Sequence, residues 1–249
     1  MGIQPPARRR RRFRIALAVA KILTAIVVAF AAAAGLLFAL TPSASQATAL
    51  TRAQAQARHI AYPGPSVPPN FAQALIATED HRFNSDPGLD PLAMVRVAVW
   101  RITGREDQGG STIDQQLAKN LYTGGRGGFT NDVKQLAIAV KLNQAYSRPE
   151  ILRMYAEVAY YGHGYYGLRA ASCGYFGRAP GRLTLVQAAM LAGVVNAPTY
   201  DDPLTYPRQA RTRLVHVIGR MAAVGDLTPA QQAAALKAPL GLSAVRGCR

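Results

Sequence analysis

Acidic residues are missing from the first 78 positions of this 249-residue chain, where the first carboxylate is Glu79. Cysteine is almost as scarce, with only Cys173 and Cys248. Two cysteines at that separation match no metal-binding spacing. Cys248 is next to last, where chain ends are usually loose, so whether the two pair is left open. No stretch alternates apolar and polar residues between hairpin turns, which argues against a sheet-based fold. No repeat period is visible, so a solenoid is excluded as well.

What is abundant is positive charge. Lys and Arg number 29 against 13 Asp and Glu, a net charge of +16. Seven of these charges, Arg8 to Arg12, Arg14 and Lys21, fall within the first forty residues. Such a balance suits nucleic acid, an anionic bilayer or a phosphorylated substrate. Zinc-finger, basic-zipper and RNA-binding signatures are absent, so no nucleic-acid partner is expected. Ile22 to Leu40 gives 19 residues without a charge, close to the ~20 needed to cross a bilayer. The arginines before it predict a cytoplasmic N-terminus, with everything after Leu40 outside, periplasmic or extracellular. Ala47-Thr48-Ala49 has the small-residue character of a signal cleavage site, but the apolar run exceeds the ~7–15 residues of a signal core. The expected organisation is a disordered basic tail at 1–14, a transmembrane helix at 15–40 and a linker at 41–65 that is part helix over 50–59. A mainly α domain follows at 66–240, with a tail at 241–249.

Within that domain the stretch Asn70 to Trp100 comes first. Phe71, Ala74, Leu75 and Thr78 fall at helical spacing after two prolines and Asn70, predicting a helix over 70–79. It ends in Glu79 and Asp80, and Glu79 on such an anchored rod is placed as a general base should be. On its own a Glu-Asp pair at a helix end is more often a solvated cap. A second helical pattern further on carries Arg96, which either faces a substrate or pairs with Asp90. Next comes Gly109-Gly110-Ser111-Thr112-Ile113-Asp114-Gln115-Gln116-Leu117-Ala118-Lys119-Asn120. Ser111 or Thr112 can cap a helix on which Gln115 and Lys119, four apart, share a face. Amides, a hydroxyl and an ammonium beside a carboxylate suit a sugar that carries phosphate. Further helices are predicted over 132–146, 150–160, 185–195, 207–225 and 229–236. Between them Gly124-Gly125-Arg126-Gly127-Gly128 has little to order it and reads as a mobile flap.

At these residues the chain resembles a known family. Glu79-Asp80-x-x-Phe83-x-x-x-x-Gly88-x-Asp90 and the Gly109–Asn120 stretch are similar to the first two motifs of the family 51 glycosyltransferases. Ser147-x-x-Glu150-Ile151-Leu152-x-x-Tyr155, Gly162-x-Gly164-x-Tyr166-Gly167, Ala170-Ala171 and Tyr175-Phe176-Gly177 continue the likeness, which covers about 66–226. The resemblance implies a lysozyme-like glycosyltransferase domain that polymerises lipid II into peptidoglycan. A sugar hydroxyl attacks, with inversion, the anomeric carbon that carries lipid pyrophosphate. Glu79 is then the base, a role worth ~10²–10⁴ in rate. Lys119 and Lys134 match the family's phosphate-binding positions. Asp80, Arg96, Ser111, Thr112, Gln115 and Gln116 are implied in binding substrate or bracing Glu79. The partners implied are lipid II, the growing glycan strand, the membrane and other cell-wall synthesis proteins.

Departures from the family pattern qualify this. Asp86 stands where the family has His, Gln135 where it has a second catalytic glutamate, Asn143 where it has Glu, and Glu157 where it has Asn. Asn131 and Asp132 replace an Arg-Lys pair. The second glutamate is associated with the donor pyrophosphate, often through Mg or Mn. A Gln keeps one carbonyl acceptor but loses the charge that a hard cation prefers. Asp132, one helical turn before Gln135, is the best replacement carboxylate unless it only caps its helix. Asp114, where the family is uncharged, is the runner-up. Two alternatives follow: a catalytically weak homologue that binds lipid-linked glycan or cell-wall partners, and a lysozyme-like glycan hydrolase. No Ser-x-x-Lys motif appears, so no transpeptidase activity is expected.

Overall fold

A computed structural model describes residues 7–88 and 111–243. Arg96, Asp90, Gly109, Gly110 and Cys248 lie outside the described residues. Two compact units are present, Met1–Thr41 and Pro42–Arg249. The first is α1, Ala7–Leu40. Ile22, Leu23, Ile26, Val27 and Val28 are all exposed on it, so this part of the helix presents apolar side chains outward. Among the described residues it holds the stretch long and apolar enough to cross a membrane. The helix starts at Ala7, inside the stretch expected to be a disordered tail. Arginine is a good helix former, so the cluster extends the helix.

The second unit is helical, and among its described residues the one β feature is an isolated antiparallel bridge between Tyr160 and Tyr166. The expected linker is in fact folded. Residues Ala47–Ala57 form α2, which packs on the helix at 148–158. Ala47, Thr51 and Ala55, spaced by four, are buried because one stripe of small residues lets the two backbones approach closely. Helix α3, Pro69–Glu79, has Pro at its first turn, where a missing N–H costs nothing. Next come α4, Ile113–Tyr122, α5, Phe129–Ala145, and α6, Arg148–Val158. Helix α7, Leu168–Phe176, ends at Gly177 with φ 62°. It was legible in the sequence only as a family motif, because its Gly and Ser lower helix propensity. Then α8, Leu185–Val194, α9, Pro207–Ala223, and α10, Pro229–Lys237, close the unit.

Threonine or serine starts several of these helices by the same device. Thr112, Ser147, Thr184 and Thr228 each form a reciprocal capping box with a Gln or Glu three residues on, which satisfies two backbone donors at once. Helix α8 is the axis of the core, with every residue from Val186 to Val194 buried. Helices α3 and α9 pack against it and against each other, while α4 packs on α5 and α6. Two layers therefore meet where α3 ends and α4 begins. At the far end the tail is tied back: Ser243 N–H donates to the Tyr175 carbonyl at 2.8 Å.

Candidate active site

Phe71, Ala74, Leu75 and Ala77 are buried along α3. They fix the end of the helix, so Glu79 is carried on rigid backbone with its side chain 6% exposed. Gln116, one turn into α4, donates from Nε2 to Glu79 Oε2 at 3.0 Å. Its other amide atom accepts from the Tyr155 hydroxyl at 2.7 Å. The chain is thus Tyr155 to Gln116 to Glu79, which fixes the amide orientation. Burial, with the Glu79 charge adding to it, pushes the Tyr155 phenol well above its ordinary range, so it stays a donor. On the other carboxylate oxygen, Arg213 NH2 donates to Glu79 Oε1 at 2.7 Å. The same guanidinium donates from Nε to the Gly193 carbonyl at 3.1 Å.

Glu79 opens onto a cleft of about 520 Å³, lined also by Ser111, Gln115, Gln116, Lys119, Asp132 and Gln135. Several sequence-predicted residues therefore meet in one place. Thr112 is not among the lining residues. It is the N-cap of α4, accepting from Gln115 N–H at 3.2 Å and donating to the Gly88 carbonyl at 3.0 Å. Lys134 is exposed on α5 and does not line the cleft. Asp132 does line it, but it is no cap: α5 starts three residues earlier, with Gly128 as N-cap.

Asp80 and Asp114 turn to a different place. Asp80 Oδ2 accepts from Ile113 N–H at the start of α4, at 3.1 Å. Burial, reinforced by the Asp86 charge and partly offset by that N–H, pushes its carboxyl up to about 8. Asp114 is wholly buried. Its carboxyl is pushed up to about 6, chiefly by burial, with the Arg148 guanidinium opposing. Oxygens of Asp80, Asp86 and Asp114 all lie within 4.8 Å of one another, and none of the three residues lines the cleft.

The glycine-rich loop is better ordered than a free flap. Gly125 N–H donates to the Lys119 carbonyl at 3.0 Å. Gln135 Nε2 donates to Thr123 Oγ1 and to the Arg126 carbonyl, each at 2.9 Å. The buried Gln135 amide thus holds the loop from below, and Gly125 forms part of the cleft wall. That bears on the Mg or Mn expected at this point. Gln135 spends its N–H groups on the loop, and among the described residues the cleft carboxylates are Glu79, held by Arg213, and the exposed Asp132. The described part of the cleft thus offers a hard cation one carboxylate besides Glu79.

Arg213 is the site residue that sequence reasoning missed. It lies on α9 among Arg208, Arg211 and Arg220, and nothing in that spacing separates it from its neighbours. Asn196 and Tyr160 also line the cleft without having been singled out.

The transglycosylase family model matches residues 45–222. The chain belongs to the transglycosylase family. The resemblance read from its first two motifs is borne out, and the chain is a glycosyltransferase. It is 35% identical to a Cupriavidus necator protein assigned as a transglycosylase, over 71% of this chain and 76% of that one. It is 38% identical to penicillin-binding protein 1A of Aquifex aeolicus, over 70% of this chain and 24% of the relative. For penicillin-binding protein 1A of Escherichia coli the figures are 37%, 66% and 20%. This transglycosylase chain therefore spans about a quarter or less of the penicillin-binding proteins it matches. The crystal structure of penicillin-binding protein 1A from Haemophilus influenzae shares 27% identity, with a TM-score of 0.38 over 54% of this chain and 17% of that one.

Proposed function

We propose that this transglycosylase polymerises lipid II into glycan strands by inverting transfer, releasing undecaprenyl pyrophosphate, with Glu79 as general base. The observation that carries the reading is the Glu79 carboxylate, held on both oxygens by Gln116 and Arg213 in a cleft shared with Lys119. A carboxylate has about four lone-pair sites, so two remain to take the proton of an attacking sugar hydroxyl. Lys119 supplies a cationic point to an anionic leaving group. Helix α1 anchors the domain in the plasma membrane with its arginines on the cytoplasmic side, so the cleft faces the periplasm or the cell exterior. Such an anchor keeps the domain at the membrane, where a lipid-linked substrate resides. Purified full-length protein given lipid II in detergent should form polymer. Its absence, with and without a divalent metal, refutes the proposal.

A second reading, a catalytically weak homologue that holds lipid-linked glycan, is favoured by one observation: Gln135 directs its amide into the loop rather than offering a charge. Lipid II binding without polymer in the same assay selects it. The hydrolase alternative falls with the family assignment.

A further inference from the structure

The chemistry of the cleft leaves one group of ionisable residues unused. Asp80 at the end of α3, Asp86 in the turn after it and Asp114 in the first turn of α4 are 6%, 8% and 0% exposed. Their nearest oxygens lie within 4.8 Å of one another. The Arg148 guanidinium at the start of α6 reaches this cluster. Its NH1 is 3.4 Å from Asp114 Oδ2 and its NH2 is 3.7 Å from Asp86 Oδ1, and NH2 also donates to the Asp86 carbonyl. With all three carboxylates ionised, three negative charges sit together in a buried place. Buried like charges at this spacing are costly unless something else lies between them.

The polar bookkeeping points the same way. Asp86 Oδ2 and Asp114 Oδ1 are buried with no hydrogen-bond partner. Groups left in that state normally have a water or an ion to satisfy them. Their companion oxygens are engaged, Asp86 Oδ1 by Gly88 N–H at 2.8 Å and Asp114 Oδ2 by Arg148. Asp86 is thus fixed by Oδ1 with Oδ2 left unused, while Asp114 is braced in addition by the Asn143 side chain.

We propose that Asp80, Asp86 and Asp114 form a buried divalent-cation site, separate from the sugar cleft. A +2 ion between them would offset the mutual repulsion of the three carboxylates. Oxygens bound to Ca²⁺ at about 2.3–2.6 Å are at most ~5 Å apart, whereas Mg²⁺ at about 2.0–2.1 Å holds its ligands within ~4.2 Å. Oxygens within 4.8 Å of one another lie inside the span of Ca²⁺ ligation without movement, and Mg²⁺ sheds its water more reluctantly. The ion would join three pieces of backbone: the end of α3 that carries Glu79, the Gly88 turn, and the start of α4 that leads to Gln116 and Lys119. Its part is positioning; it touches no reacting atom.

Calcium binding to the metal-free, full-length protein in detergent, followed by titration calorimetry and thermal melting, tests this without any glycan substrate. It is therefore independent of whether lipid II is the substrate. The expected result is saturable binding of one Ca²⁺ per chain, a higher melting temperature with added Ca²⁺, and weaker binding of Mg²⁺. Asp86→Asn and Asp114→Asn should each weaken Ca²⁺ binding by at least ~10-fold, while Asp132→Asn, in the cleft, leaves it intact. Arg148→Gln acts in the opposite direction. By removing the competing guanidinium it should tighten Ca²⁺ binding several-fold, and it keeps the question decidable if the aspartate variants do not fold. No saturable binding overturns the proposal, as does binding lost in Asp132→Asn and kept in the cluster variants. A melting temperature that rises only with acid, unmoved by Ca²⁺, assigns the cluster to protons and overturns it too.

Discussion

Arg213 and Glu79 are 134 residues apart in sequence and 2.7 Å apart in the fold. The pair joins the end of α3 to the middle of α9 across the core helix α8, whose Gly193 carbonyl takes the other face of the same guanidinium. A base in the role proposed for Glu79, receiving a proton from one direction, gains from being held in all others. Gln116 and Arg213 do this from opposite oxygens.

Replacing Arg213 should therefore injure turnover more than substrate binding. Arg213→Met removes both hydrogen bonds, and a misplaced catalytic group costs roughly 10²-fold. Arg213→Lys keeps the charge but cannot serve Glu79 and Gly193 together, so it should recover only part of the rate. Steady-state polymerisation with lipid II separates kcat from KM. An unchanged kcat in Arg213→Met removes the positioning role.

Glu79→Gln should keep the fold and lose at least ~10²-fold of activity. Gln matches the shape, and its amide can still meet Gln116. A melting temperature near that of the parent, together with lost polymer, identifies a chemical role. Near-normal polymerisation shows that the base lies elsewhere.

Gln135→Glu brings back the charge of the family pattern but removes the two donors that hold the loop. The new carboxylate would face the Arg126 carbonyl, since the present amide donates there at 2.9 Å. A buried group left without a partner costs about 1–3 kcal/mol. The variant should melt lower and be cut faster by protease within residues 123–128. Stability and protease resistance equal to the parent's would show that the amide does not hold the loop.

Glu157 makes stability depend on pH. Its Oε1 accepts from Gly64 N–H at 2.7 Å, while Oε2 is buried without a partner. Burial raises its pKa above the ordinary 4.5, against the opposing pull of the Gly64 N–H and Arg153. The folded state thus holds the proton longer than the unfolded one. The stability from this group is fully present below 4.5 and is lost as pH rises through the higher folded value. Glu157→Gln keeps an oxygen for Gly64 and removes the titration. It should raise the melting temperature at pH 7 and flatten its fall with pH relative to the parent. Parallel melting curves from pH 4 to 8 contradict this.

Helix placement was largely legible because capping and apolar spacing are local. Pro68, Pro69 and the spacing from Phe71 mark α3, and the Thr112–Gln115 box marks α4. Helix α2, read from the sequence only as part helix over 50–59 within a linker, shows the limit. Ala47, Thr51 and Ala55 look like linker composition until α6 lies against them, because small residues gain little until another backbone comes close. The position of Asp132 failed for a related reason. Gly128 is a poor signal for a helix start, and a carboxylate nearby is a strong one.

The sequence by itself determined that α1 is apolar enough to span a bilayer, that the domain is helical, and that Glu79, Gln116 and Lys119 belong to one site. The first two follow from short-range composition and periodicity, and the third from the resemblance of two separate motifs to one family. Tertiary structure alone decided that Asp80 turns away from Glu79 to join Asp86 and Asp114, that Gln135 serves the loop, and that Arg213 among the four arginines of α9 reaches the base. Direction of a side chain and identity of its partner depend on how helices far apart in sequence cross. Local spacing carries no information about that crossing.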